Sequence, residues 1–268
     1  MRAVRTFTRF VGGFAGNVAT GLARLGVRTA IVSRVGDDGH GEFVRDFLEG
    51  EGVDTHFLAV DPYWLTPPTF CEVWPPDDFP LTFYRRPTAP DWQLSAEDFD
   101  AEEVAATPLL YATGTGLAQS PSRETTLEAM RAHRGTTIFD LDWRPTLWDD
   151  PAEYQPLAAE AVAAADLVIG NEEEVDAAQA RENRPLVLKR GERGVTILDE
   201  EVETDVSPYP VRVVNGLGAG DAFAAALGYG LLRGRELVDA VRLGNRAGAF
   251  VAAQLACSEA MPRLEDLE

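Results

Sequence analysis

Leu109-Leu-Tyr-Ala112, Arg123 to Arg134, Thr136-Thr-Ile-Phe-Asp140, Leu157 to Ala165 and Asp166-Leu-Val-Ile169 follow one another without interruption. Short apolar runs alternating with longer amphipathic stretches read as strand, helix, strand, helix, strand. Parallel strands joined by helical crossovers make a mainly parallel sheet with helices on both faces. Such a sheet takes its ligand at the carboxyl ends of its strands. Outward toward the N-terminus the alternation continues. Ala15 to Leu25 places Val18, Leu22 and Leu25 on one helical face and stops at Gly26; Thr29-Ala-Ile-Val-Ser33 reads as a buried strand. Phe43, Val44, Phe47 and Leu48 mark a second helix closing near Gly50 and Gly52. Outward toward the C-terminus, Pro185-Leu-Val-Leu-Lys189 and Val195-Thr-Ile-Leu198 predict strands, and Ala219 to Leu232 and Glu236 to Leu255 two Ala-rich helices.

Residues 56–90 break the pattern. Pro62, Pro67, Pro68, Pro75, Pro76 and Pro80 punctuate two strand-like pieces, Thr69-Phe-Cys-Glu-Val-Trp74 and Leu81-Thr-Phe-Tyr-Arg85. A small β-element set into an α/β domain reads as a lid or an interface sheet. No internal repeat or linker divides the chain, so residues 1–268 are expected to form one domain.

The composition is acidic: 44 Asp plus Glu against 24 Lys plus Arg give a formal charge of −20. That field disfavours nucleic acid and anionic membranes as partners. Lys189 is the single lysine, beside 23 arginines. The acid excess reads as a surface adapted to concentrated salt, where a Debye length of ~3 Å screens self-repulsion; an acidic protein of a GC-rich genome is the alternative. The sequence contains no apolar run of membrane-spanning length and no signal-peptide core, so a cytoplasmic location is expected. Cys71 and Cys257, without a CxxC pattern, read as buried thiols in a reducing compartment.

The densest chemistry lies in Val213-Val-Asn-Gly-Leu-Gly-Ala-Gly-Asp-Ala-Phe223. Gly216, Gly218 and Gly220 let backbone N–H groups approach an anion, and the following helix presents its positive end. A carboxylate at Asp221 would compete with that anion if it only capped the helix. As a general base beside a phosphate, taking a proton from an attacking hydroxyl, it makes chemical sense. A glycine-rich turn with Asp221 as a cap remains the plain alternative.

The segment resembles the signature of the ribokinase-like (PfkB) carbohydrate kinases, and four further segments match that family in order along almost the whole chain. They are Gly12-Gly-Phe-Ala-Gly-Asn17, Val35-Gly-Asp-Asp-Gly39, Asn171-Glu-Glu-Glu174 and Lys189-Arg-Gly-Glu-Arg-Gly194. The resemblance implies a three-layer α/β/α ribokinase-like fold with a mainly parallel central sheet and a small β lid, formed by about 1–11 and 56–90. It implies an ATP-dependent kinase with Asp221 as base and the N–H groups of Gly218, Ala219 and Gly220 as the anion hole. Asn171 and Glu174 would hold a magnesium–phosphate assembly, unless they are simply a capped acidic helix start. Lys189, Gly191, Gly194 and Asn245 would border the nucleotide, and Gly12, Gly13 and Asn17 the sugar.

Phe139-Asp-Leu-Asp-Trp-Arg-Pro-Thr-Leu-Trp148 resembles the segment of family members that act on keto-deoxy sugar acids. There Arg144 would engage a carboxylate or hydroxyls through its planar fork, with Arg85 as a second candidate; an ion pair of Arg144 with Asp140 or Asp142 is the competing reading. With Tyr229-Gly-Leu-Leu232, Gly244-Asn-Arg-Ala-Gly-Ala249 and Leu255-Ala-Cys-Ser-Glu-Ala-Met-Pro262, the resemblance points to the branch acting on 5-dehydro-2-deoxygluconate. Kinases of 2-keto-3-deoxygluconate, then fructokinases, come next. Asn215 and Leu217 depart from the Asp and Thr usual in the family, which leaves potassium as a cofactor open. Only Met1 to Val11 precede Gly12, so a core strand and an acidic sugar contact, roughly twenty to thirty residues, are expected upstream of Met1. A sugar-binding pseudokinase is the non-catalytic alternative, and a homodimer through the lid is expected because small β lids leave an apolar face to cover.

Overall fold

The computed structural model describes residues 4–75, 78–182 and 185–267; Pro76, among the prolines of the expected lid, lies outside them. Helix α1 (Phe14–Arg24) leads to strand β1 (Ser33–Gly36), helix α2 (Gly39–Gly50) and β2 (Leu58–Asp61). Strands β3 (Thr69–Cys71) and β4 (Leu81–Phe83) come next, then the one-turn α3 (Ala101–Ala105). The regular alternation follows: β5 (Leu109–Thr113), α4 (Ser122–Ala132), β6 (Thr136–Asp140), α5 (Tyr154–Ala164), β7 (Leu167–Asn171), α6 (Glu172–Ala178) and β8 (Leu186–Lys189). An antiparallel pair, β9 (Val195–Asp199) and β10 (Val202–Val206), precedes the helices α7 (Ala219–Leu232) and α8 (Leu237–Ala252).

The central sheet has six strands in the order β10-β9-β8-β7-β6-β5. Strands β5 to β8 run parallel, and β9 and β10 turn back antiparallel at one edge. Both faces are buried, which is why the central strands are apolar throughout instead of alternating. Ile138, Ile169, Val187 and Ile197 face α1, α7 and α8, where they meet Val18, Leu22, Phe223 and Val241. Phe139, Val168, Leu186 and Leu188 face the other layer, with Leu127 of α4, Ala161 of α5 and Val175 of α6. These are the three layers expected from the alternation.

Three expectations are corrected. The span 56–90 is not all lid: Leu58–Asp61 pairs in parallel with β1, and only β3 and β4 form the antiparallel hairpin. The β1–β2 pair is separate from the six-stranded sheet among the described residues. Arg34 secures it, reaching Asp61 at 3.1 Å, Asp98 at 3.2 Å and the carbonyl of Gln93. Residues 4–11 form no strand, although Phe7 packs edge-on against Phe70 of the hairpin, ring centroids 4.7 Å apart. Cys71 and Cys257 are free thiols as expected, but half-buried.

Helices α1 and α7 touch closely because Gly21 has no side chain: a Cβ there would lie 2.6 Å from that of Ala225. Gly21→Leu must push the helices apart, an overpacking penalty of about 1–3 kcal/mol. Its thermal unfolding midpoint should fall by several degrees; an unchanged midpoint would mean that the helix pair tolerates wider spacing.

Candidate active site

Four neighbouring strands end in Thr113, Asp140, Asn171 and Lys189, with Thr113 opposite Asp140, Asn171 opposite Lys189, and β7 running two residues beyond the Asp140 position. The N-terminus of α7 opens beside them. Its cap, Gly218, stands at φ 79°, a left-handed conformation that favours glycine, and a Cβ on it would sit 3.2 Å from Cβ of Cys257. Asn215 shapes the loop: its Oδ1 accepts from the N–H of Leu217 at 3.1 Å and its Nδ2 donates to the carbonyl of Leu255. The N–H of Ala219 makes a long 3.3 Å bond to the carbonyl of Gly216. Outside the helix, the N–H groups of Gly218 and Gly220 have no partner among the described residues. Two unpaired donors thus lie at a helix N-terminus, the kind of place where an anion can bind.

Asp221 lies in the first turn of α7, and Asn17 Nδ2 donates to its Oδ2 at 2.6 Å. Burial, partly offset by that bond, pushes the Asp221 carboxyl up to about 6, with Asp142 and Asp140 adding to the rise and Lys189 opposing it. A base poised near neutrality is what proton abstraction from a hydroxyl requires. Asn17 is buried, and Ser258 Oγ donates to its Oδ1 at 2.5 Å. With that oxygen occupied, the amide nitrogen is turned toward Asp221. Ser258 lies in the segment 255–262 that carries part of the resemblance, but the sequence assigns it no role.

Gly12 and Gly13 are exposed, and a Cβ on either would meet nothing within 4 Å, so their backbone faces open space ahead of α1. Arg144 forms the ion pair weighed against it as a competing reading, 3.0 Å to Asp142, yet its side chain stays 44% exposed. The fork is thus held and still presented to solvent. Burial works against its charge, but Asp142, Glu174, Asp221 and Asp140 together raise its pKa. Asp142 sits at φ 35°, a strained backbone for a residue with a Cβ that costs about 1–2 kcal/mol. The hydroxyls of Thr113 and Thr115 donate to its Oδ2 at 3.0 and 3.1 Å, and its N–H donates to Asp140 Oδ1.

Arg85 is not brought to this cluster by any direct contact. Its guanidinium pairs with Asp91 at 2.5 Å and lies 4.2 Å over the Trp92 ring, because the turn Pro90–Gln93 places both beside it. The link is indirect: Trp92 Nε1 donates to the carbonyl of Thr115, which in turn holds Asp142. The hairpin does reach the glycine loop, since a Cβ on Gly216 would lie 3.1 Å from the Phe79 ring.

Asn171 and Glu174, expected beside the nucleotide's phosphates, form a capping box. Asn171 Oδ1 accepts from the N–H of Glu174 at 2.9 Å, and Glu174 Oε2 from that of Asn171 at 2.8 Å. No cluster of three metal-ligating residues exists among the described residues. A cation that keeps its waters and binds mainly phosphate needs only one carboxylate from the protein, and buried Glu174 fits that limited role. Gly191, at φ 56°, has open space where a Cβ would be, whereas Gly194 packs its backbone against the carbonyl of Val206. Asn245 donates to the carbonyl of Ser207, which anchors the loop leading to Asn215. Lys189 reaches across to Asp140, 3.1 Å away. Burial opposes its charge, yet Asp140 first, then Glu174 and Asp221, hold its pKa above the ordinary lysine value. Asp140 itself is pushed up to about 6, by burial foremost, with Lys189 opposing.

If Asp221 is the base that the sequence suggests, it must be deprotonated to work, so kcat/KM should fall as pH drops through about 6. Asn17→Ala removes a bond to the charged form of Asp221, so the acidic limb should move to higher pH. Asp221→Asn should lower kcat by at least a hundredfold while acceptor affinity persists. A limb unmoved in the Asn17 variant would separate that residue from the base.

Comparison with known proteins finds relatives along almost the whole chain. Residues 1–264 match the pfkB family carbohydrate kinase signature. The 5-dehydro-2-deoxygluconokinase of Clostridium tetani is 33% identical over 98% of this chain and 84% of its own length. That of Shouchella clausii is 34% identical over 100% and 88%. Among solved structures, a fructokinase from Vibrio cholerae with fructose, ADP and calcium bound superposes with a TM-score of 0.89 at 28% identity, covering 98% of this chain and 92% of the other. A sugar kinase from Pyrococcus horikoshii in complex with ATP gives 0.89 at 28% identity, covering 99% and 90%. With a family match over residues 1–264 and relatives at 33% and 34% identity over almost the whole chain, the chain belongs to the pfkB family of carbohydrate kinases.

Proposed function

We propose that the protein transfers the terminal phosphoryl group of ATP to the terminal hydroxyl of a keto-deoxy sugar acid, 5-dehydro-2-deoxygluconate. The observation that carries the acid specificity is Arg144, tethered to Asp142 but open to solvent within electrostatic reach of Asp221. A guanidinium fork so held suits a carboxylate, and the named activity of the relatives agrees. Asp221 takes the proton as the hydroxyl oxygen bonds to phosphorus and the bond to the leaving diphosphate oxygen breaks. The free N–H groups of Gly218 and Gly220 and the helix end stabilise the charge on the phosphoryl oxygens, typically about 3 kcal/mol per donor.

Magnesium, held from the protein side by Glu174 with Asn171 as its orienting partner, would supply positive charge to the phosphates. Asn245, Gly191 and Lys189 lie on the nucleotide's side of the cleft in this reading, and Gly12 and Gly13 on the sugar's. The β3–β4 hairpin, with Phe79 against Gly216, closes over the acceptor and excludes water. Phe7, Trp74 and Tyr84 are exposed on that hairpin and the segment before α1, a surface suited to a second copy. The reading also includes a working environment of concentrated salt, from the charge of −20.

Coupled turnover in high KCl with ATP and magnesium tests the reading, comparing 5-dehydro-2-deoxygluconate, 2-keto-3-deoxygluconate, fructose and ribose by kcat/KM. The first should be preferred, and Arg144→Leu should raise its KM at least tenfold while leaving fructose little changed. Preference for fructose would overturn the acid specificity; no turnover by folded protein would favour a pseudokinase. Light scattering in the same buffer should give twice the chain mass, reduced to one by Trp74→Glu.

A further inference from the structure

We propose that Asp140 is a positioning residue for both halves of the reaction: it sets Lys189 as the cation that meets the transferring phosphoryl group, and it sets the turn that presents Arg144 to the acceptor. The inference rests on the kinase chemistry above but not on which sugar acid is used.

Asp140 ends β6, in the middle of the parallel strands, and is only 3% exposed. Its two oxygens are divided between the two sides. Oδ2 accepts from Lys189 Nζ at 3.1 Å, and Oδ1 from the N–H of Asp142 at 3.2 Å. The first contact fixes an ammonium that comes from β8, two strands away in the sheet. The second supports the left-handed turn at Asp142, from which Arg144 is tethered.

The ammonium is aimed at the chemistry. A Cβ on Gly220 would lie 3.6 Å from Lys189 Nζ, so the charge stands beside the first turn of α7, one residue before Asp221. Binding Lys189 to Asp140 also leaves the base free. An ion pair to Asp221 would occupy the carboxylate that has to accept the proton and would lower its pKa. The residue type supports the same role. Every other cationic side chain of Lys or Arg type in this protein is an arginine. An ammonium is a compact charge with rotatable donors, able to follow phosphoryl oxygens as they flatten, where a planar fork would demand fixed geometry.

The experiment measures kcat, nucleotide KM and acceptor KM for Asp140→Asn, Asp140→Ala, Lys189→Met and the double variant Asp140→Asn/Lys189→Met, on the best acceptor of the wild type. Asp140→Asn and Lys189→Met should each lower kcat at least tenfold with acceptor KM within threefold. The double variant should lose no more than Lys189→Met alone, because Asp140 acts through the lysine. Asp140→Ala, which also loses the acceptor for the Asp142 N–H, should raise acceptor KM severalfold. Either single variant holding kcat within threefold of wild type, or a double variant losing the product of both effects, would overturn the proposal. Calorimetric binding of the acceptor monitors folding; where an Asp140 variant fails it, Lys189→Met alone decides. A wild type that prefers fructose would sink the substrate reading only, and the same comparisons then run on fructose.

Discussion

Four carboxylates, Asp140, Asp142, Glu174 and Asp221, lie within electrostatic reach of two cations, Arg144 and Lys189, and the rest of the site is arranged around that imbalance. Each acid is kept from its neighbours by a dedicated donor. Asn17 holds Asp221, Lys189 holds Asp140, Arg144 and two threonines hold Asp142, and Glu174 accepts a backbone N–H. Uncompensated carboxylates in low dielectric would protonate, and two of them do sit near about 6. That poise is useful at Asp221, where a stronger acid would be a poorer base. At Asp140 it is limited by the ammonium, which keeps the pair charged.

The layers matter because they deliver these donors. Asn17 comes from α1 and Asp221 from α7, and the two meet at 2.6 Å only because Gly21 and Ala225 let the helices touch further along. The strand ends supply the other half, since parallel register brings Asn171 opposite Lys189 and Thr113 opposite Asp140. Packing and chemistry are therefore not separable here: a helix displaced by a methyl group moves the partner of the base.

Much of this was legible in the sequence. Thr136–Asp140 and Ala219–Leu232 are found at the expected residues, since a buried run and a Gly-capped Ala-rich helix carry strong local signals. β10 was not foreseen. It is exposed along most of its length, and its hairpin turns through Glu200 at φ 51°, where Gly or Asn would have announced the turn. The site divided in the same way. Glycine loops and the acid at the helix mouth could be read, because their chemistry is local. Roles set by partners distant in sequence could not. The bonds of Asn17 to Asp221 and to Ser258, 241 residues away, are of this kind. Arg85 looked free until Asp91 and Trp92 were placed beside it.

The acidity of the whole chain and the acidity of the cleft obey different physics. Exposed carboxylates interact through water, and salt screens them within a few ångströms. Asp140 and Glu174 are buried and Asp142 and Asp221 half-buried among fixed donors, where mobile ions cannot readily replace Lys189 or Asn17, so salt changes their mutual energies far less. A surface charge of either sign can then drift with the solvent in which the protein works. The cleft cannot drift with it. Its two cations are thus the positions where arginine and lysine are least interchangeable: a fork at Arg144, where an exposed planar group is presented, and an ammonium at Lys189, where a point charge is packed against a helix end.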